Sequence, residues 1–197
     1  GQLDITSHSI QFDGSQGLTP GGSLGFNLLV DGARLNVDSN NANGSADSGD
    51  PTPLLTVAAG ATLDLRQAGA QFTNGGTNLL NALETVNGSL FVSDGFSLAP
   101  GGAPPTLTID GGTLGGNSAG VGGIAGDVVA QNGATIAPGL SIGQLDIIGG
   151  GGAMGNLDVN GPAAIELEIL DPAGAPGVGF DFLQVAGDLT FDNSGPV

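Results

Sequence analysis

Short runs of alternating apolar and polar residues recur along most of this 197-residue chain. Leu3 and Ile5 alternate with polar neighbours, as do Ile10 and Phe12, Leu28 and Val30, Leu35 and Val37, and Leu63 and Leu65. The pattern continues at Leu90 and Val92, Leu107 and Ile109, Leu145 and Ile147, and Leu157 and Val159. It closes with Ile165, Leu167 and Ile169, then Leu183 and Val185, then Leu189 and Phe191. A period of two puts the apolar members of each run on one strand face and the polar members on the other. Between the runs stand Asp13-Gly14, Asp31-Gly32, Asn87-Gly88, Asp94-Gly95, Asp110-Gly111, Asn132-Gly133 and Asn160-Gly161, pairs that tolerate the positive φ of tight turns. Helix signals are nearly missing. The one candidate spans about Asn78 to Val86 and is too short to carry a fold. An all-β chain is expected.

Many short strands with Gly/Asn corners suit either a β-sandwich or a solenoid, and repetition separates the two. Residues 88–112 align without a gap on residues 126–150 at an offset of 38. Gly88/Gly126, Gly95/Gly133, Pro100/Pro138, Leu107/Leu145 and Ile109/Ile147 are among the identical positions. Gly-Ala-Thr recurs at 60–62 and 133–135, and Gly-Gln-Leu-Asp-Ile at 1–5 and 143–147. Sandwiches rarely repeat so literally, whereas stacked coils meet the same steric problem at each corner. The expected fold is therefore a right-handed parallel β-helix, with the sandwich as runner-up. The repeat blocks are 88–125 and 126–163, each holding about two coils of roughly 20 residues. Residues 38–57 read as a loop insertion, and 1–197 as a single solenoid segment of a longer chain.

Residues 126–192 also pass through Gly-Ala-Thr-Ile-Ala-Pro-Gly-Leu-Ser-Ile-Gly-Gln-Leu (133–145), Ile-Glu-Leu-Glu-Ile (165–169) and Phe-Asp-Phe-Leu-Gln-Val-Ala-Gly (180–187). This series resembles the passenger-associated transport repeat of bacterial autotransporters, with Phe180 standing where the family has Tyr. About a third of the chain carries the likeness, and 88–112 is a weaker copy. The resemblance implies a secreted right-handed β-helix at the bacterial cell surface. It implies no particular activity.

Composition narrows the function further. A net charge of −17, from Asp+Glu 19 against Lys+Arg 2, excludes a phosphate-neutralising nucleic-acid interface and disfavours an anionic membrane surface. With Cys 0 there are no disulfides, thiol chemistry or Cys-based zinc sites. No apolar run is long enough to span a bilayer as a helix. Trp and Tyr are absent and Phe numbers 8, so glycan stacking on aromatic rings lacks its usual platforms.

Candidate chemistry is sparse. Glu166 and Glu168 share one strand face at a spacing of ~7 Å, and they read as a solvated outer face because Ile165, Leu167 and Ile169 are expected inside. Arg34 and Arg66 are the only cations apart from the lone His8, and Arg66 reads as a solvated or salt-bridged strand end. Phe91 and Phe96 are expected at coil corners. No Gly-x-Ser-x-Gly elbow accompanies His8. No catalytic residue is assigned. One loop has oxygen-ligand spacing: from Ser39 as position one, Asn41, Asn43, Asp47 and Asp50 fall at three, five, nine and twelve, with Gly44 at the turn. Ser replaces the usual first Asp and Asp the closing Glu, so calcium is a candidate ligand and a plain Asx/Ser/Gly insertion the simpler reading. No cofactor is required. The expected function is a non-enzymatic structural or adhesive segment that meets other copies or other segments of its parent protein through sheet edges. A self-assembling filament subunit is the alternative, and a polysaccharide-active enzyme ranks behind it.

Overall fold

The computed structural model describes residues 2–6, 9–13, 22–24, 27–31, 34–38, 55–57, 59–66, 71–73, 83–93, 96–97, 106–117, 121–139, 141–149 and 154–192, with side-chain burial at most of these positions from Val57 onward. Alternation does what the pattern requires. The described chain is all β, without a helix, and runs through β1 (Gln2–Thr6), β2 (Ser9–Asp13), β3 (Gly22–Leu24), β4 (Asn27–Asp31), β5 (Arg34–Asp38) and β6 (Leu55–Val57). It continues with β7 (Thr62–Leu65), β8 (Gln71–Thr73), β9 (Leu83–Val86), β10 (Ser89–Val92), β11 (Phe96–Ser97) and β12 (Thr106–Asp110). Next come β13 (Thr113–Gly115), β14 (Val121–Ala125), β15 (Asp127–Gln131), β16 (Thr135–Ala137), β17 (Gln144–Ile148) and β18 (Leu157–Asn160). The last three are β19 (Ala164–Ile165), β20 (Phe182–Val185) and β21 (Leu189–Asp192).

Every strand-to-strand ladder is parallel, and each joins strands three apart. The first sheet is β1-β4-β7-β10-β13-β16-β19 and the third is β3-β6-β9-β12-β15-β18-β21. The intervening strands form a sheet β2-β5-β8 and a sheet β11-β14-β17-β20. Successive strands therefore belong to different sheets, and the chain returns to the same sheet at every third strand except between β8 and β11, which are not paired.

In parallel register, like positions sit on like positions. One column of the first sheet runs Leu3, Leu28, Leu63, Leu90, Leu114, Ile136, Ile165. In the third sheet the column is Leu24, Val57, Val86, Ile109, Ala130, Val159, Phe191. Leu63, Leu90, Leu107, Ile109 and Leu114 are fully buried in one continuous core with Val128, Ile136, Leu145 and Ile147. Burying a Leu side chain contributes about 1.5–3 kcal/mol, so each column of aliphatic side chains is a main source of stability.

The corners are held by side-chain amides, carboxylates and close backbone. Asn87 Nδ2 donates to the carbonyl of Asp110 (2.9 Å), and Asn132 Nδ2 to its carboxylate (2.5 Å). Asp127 Oδ1 accepts the N–H of Gly155 (3.0 Å) and of Asn156 (2.8 Å), and Asn156 Oδ1 accepts that of Asp188 (2.8 Å). Asn132 and Gly133 adopt φ 56° and 85°, the left-handed geometry that an Asn-Gly corner permits.

Two expectations change. Leu83–Val86, inside the candidate helix, is strand β9, because Leu83 pairs with Leu55, and Val86 with Val57 and Ile109. A lone helical turn has no packing to match that ladder. The 38-residue repeat also fails to mark a stacking unit. Leu107 lies in β12 of the third sheet, whereas its aligned partner Leu145 lies in β17, beside β14 and β20. The copies are five strands apart, which is not a multiple of three. Leu107 instead pairs with Val128, 21 positions later.

Truncating a column should cost most at its middle. Leu114→Ala is expected to lower stability by about 2–5 kcal/mol in urea unfolding followed by circular dichroism. Thr108→Ala, on the outer side of β12, is expected to cost under about 1 kcal/mol. Equal effects would contradict the buried column.

Candidate functional site

The first sheet keeps its regular outer face until β19, where the chain leaves it. Glu166 N–H still bonds the carbonyl of Ile136 (2.9 Å), but Leu170 and Asp171 donate to Gly179 instead (2.9 and 2.7 Å). Residues 166–181 thus fold back on themselves. Ile169 bridges Phe180 in antiparallel fashion, and Asp171 closes the tip by accepting the N–H of Ala173 on its side chain (3.0 Å) and of Gly174 on its carbonyl (3.0 Å). Pro172, Pro176 and four glycines between 174 and 187 suit such a reversal better than a strand.

Asp181 fastens this excursion. It is the buried charged residue among the described ones, 7% exposed, and each carboxylate oxygen accepts one main-chain N–H. Oδ1 takes Gly143 (2.8 Å) and Oδ2 takes Glu168 (2.8 Å). Asp181 N–H returns to the carbonyl of Glu168 (2.8 Å), and Phe182 N–H to that of Gly143 (3.0 Å). One side chain therefore ties the excursion to the turn that precedes β17.

Between the excursion and the outer face of the first sheet lies a groove of about 330 Å³. One wall is a column of hydroxyl residues, Ser89, Thr113 and Thr135, stacked in register. Glu166 lines it where its N–H still bonds the Ile136 carbonyl, and Glu168 and Asp181 line it from the excursion, with Phe91, Ala137 and Gly139 completing the lining. Phe91 points outward yet is only 7% exposed. Its ring lies across Gly115, where a Cβ would stand 2.5 Å from Cδ1, and under the Arg66 guanidinium, 4.7 Å from the ring centroid. Arg66 in turn pairs with Asp64 at 2.5 Å. A second hollow of about 380 Å³ opens beside Ser141, Ile142 and Leu170.

Glu166 and Glu168 are exposed as expected, and both line the groove. Leu167 and Ile169 are not inside: they are 56% and 70% exposed, because the strand ends at Ile165 and no ladder carries them inward. Of the two readings of Arg66, solvated or salt-bridged, the structure shows the salt bridge, to Asp64. Phe91 packs on an outer sheet face beneath a cation. Arg34 pairs in register with Ser9 and Gln71 in β5, and Phe96 with Ile124. His8 and the candidate calcium ligands Asn41, Asn43, Asp47 and Asp50 lie outside the described residues. Among the described residues no three His, Asp or Glu side chains gather to hold a metal. Asp181 and the hydroxyl column were not singled out from sequence. The recurring Gly-Ala-Thr was a usable signal, since Thr62 and Thr135 stand in one column with Ser89 and Thr113 between them.

No protein-family model, curated protein or solved structure matches this chain.

Removing the Asp181 clamp should loosen the excursion before it touches the core. Asp181→Ala is expected to speed hydrogen exchange at the Gly143 and Glu168 amides and to cost about 1–3 kcal/mol. Asp181→Asn, which keeps one acceptor, should fall between. Unchanged exchange in Asp181→Ala would refute the clamp.

Proposed function

We propose that the chain is a three-sided, right-handed parallel β-solenoid segment of a secreted bacterial surface protein, with a structural or adhesive role and no catalytic one. The observation that carries this reading is the parallel pairing of every third strand, with apolar columns continuing through it. Parallel pairing at this separation fits a chain winding in stacked coils, each covering the apolar edge of the one before. The likeness of residues 126–192 to the autotransporter transport repeat supports a secreted surface protein. The absence of Lys and Cys, with net charge −17, suits an extracellular scaffold better than an enzyme acting on anionic polymers.

The last three strands favour a second feature of this reading. Leu189 and Phe191 of β21 belong to inward columns but are 44% and 63% exposed. A further coil of the same protein or a second copy would cover them through the free sheet edges. Electron micrographs distinguish the two: rods of fixed length fit the scaffold, and open-ended fibres fit a self-assembling subunit.

The winding is tested by spin labels, which the cysteine-free chain accepts cleanly. Labels at Thr62→Cys and Thr135→Cys are expected about 14 Å apart, and at Thr85→Cys and Thr190→Cys about 19 Å apart, from ~4.8 Å per stacked strand. Distances that do not scale with strand count exclude a solenoid. The location is tested separately. Antibodies to the chain should label intact cells of the source bacterium, and labelling only after permeabilisation would overturn a surface role.

A further inference from the structure

We propose that the groove between the hydroxyl column of the first sheet and the 166–181 excursion binds an uncharged, hydroxyl-rich chain, a neutral glycan. This deepens the adhesive reading above and rests on it. The groove is built rather than incidental. Its volume of about 330 Å³ falls within the range of small-ligand sites. One wall is fixed by in-register β-strands, and the other is pinned by the buried Asp181 through two 2.8 Å bonds. Those bonds occupy one position on each oxygen, of the roughly four lone-pair sites that a carboxylate offers. Phe91, held between Gly115 and Arg66, gives the floor an apolar edge that cannot swing away.

The donor and acceptor pattern selects the ligand. Ser89, Thr113 and Thr135 repeat at the strand spacing of ~4.8 Å, on the order of one sugar ring, and each hydroxyl both donates and accepts. Glu166 and Glu168 accept only, and hydroxyl groups donated to a carboxylate make the stronger, charge-assisted bonds. Among the described residues no Lys, Arg or His lines the groove, so a uronate, sulfated or phosphorylated chain meets like charge. A compact ammonium only donates, so it engages the carboxylates and leaves the donor capacity of the hydroxyl column unmet. A neutral polyol uses both walls and lays C–H faces on Ala137, Gly139 and the Phe91 edge.

The test titrates the full chain with cellohexaose, maltohexaose and chitohexaose, and with hexagalacturonate and spermine as charged probes, by calorimetry. At least one neutral hexasaccharide is expected to bind with a Kd of roughly millimolar or tighter. Thr113→Val and Glu168→Gln, shown folded by circular dichroism, should each weaken it about tenfold. Thr108→Val, on the third sheet, should not. Three results would overturn the proposal: no neutral probe binding, spermine or hexagalacturonate binding in their place, or affinity unmoved by both groove variants. Spin-label distances and surface labelling are measured without ligand. Loss of glycan binding alone therefore leaves the scaffold reading standing, while failure of those measurements removes the scaffold whatever the calorimeter shows.

Discussion

Parallel in-register stacking is the constraint on which everything else depends. A side chain at one position must tolerate a near copy of itself ~4.8 Å above and below. Aliphatic residues meet that condition inside, which is why Leu63, Leu90, Leu114 and Ile136 follow one another in a single column. A column of carboxylates would not. One outer column dilutes its charge, Thr85, Thr108, Val129, Asp158, Thr190, whose single acid is hydrogen-bonded to the Thr190 hydroxyl, whereas β2 and β5 set Asp13 opposite Asp38 at their ends. Among the acids whose side chains are described, Asp181 is the buried one, and the rest keep at least partial contact with solvent.

The corners follow from the same rule. Each strand end exposes backbone groups that the ladder cannot satisfy, and short Asn and Asp side chains reach across to the neighbouring turn. Asp127 serves Gly155 and Asn156, and Asn156 serves Asp188, so one acceptor hands on to the next along the stack. Close approach at such corners leaves no room for a side chain. A Cβ at Gly116 would meet the Gln144 and Pro138 carbonyls, and Gly116 N–H bonds the latter at 3.0 Å.

The groove exists because the regular pattern stops. Past the Glu166 N–H bond to Ile136 the chain leaves the ladder, and Gly179 supplies the carbonyl that Leu170 and Asp171 would otherwise take from a strand. The ladder places Glu166, and the reversal Glu168, in one groove with three hydroxyl residues distant in sequence. Asp181 is what gives this arrangement fixed geometry. A buried carboxylate holding two N–H groups is a costly feature unless both bonds are made, and both are.

Sequence by itself determined the all-β class, the inward residues of β7, β10, β12, β17 and β18, and the corners at Asn87-Gly88, Asp110-Gly111, Asn132-Gly133 and Asn160-Gly161, because a period of two and the preference for positive φ are local properties. It did not reveal β13 or β14, whose glycines at 115, 122 and 123 hide the alternation. It also overread literal repetition. The 38-residue copy reflects the same local strand-and-corner problem solved in two different sheets, and only pairing across the structure shows which strand lies on which. The carboxylate pair was legible as two residues on one face. Its neighbours were not, since Ser89, Thr113, Thr135 and Asp181 converge through stacking and through a chain reversal that no local pattern encodes. Identity of side chain and strand face is written locally; the groove is a product of register, which only the assembled sheets decide.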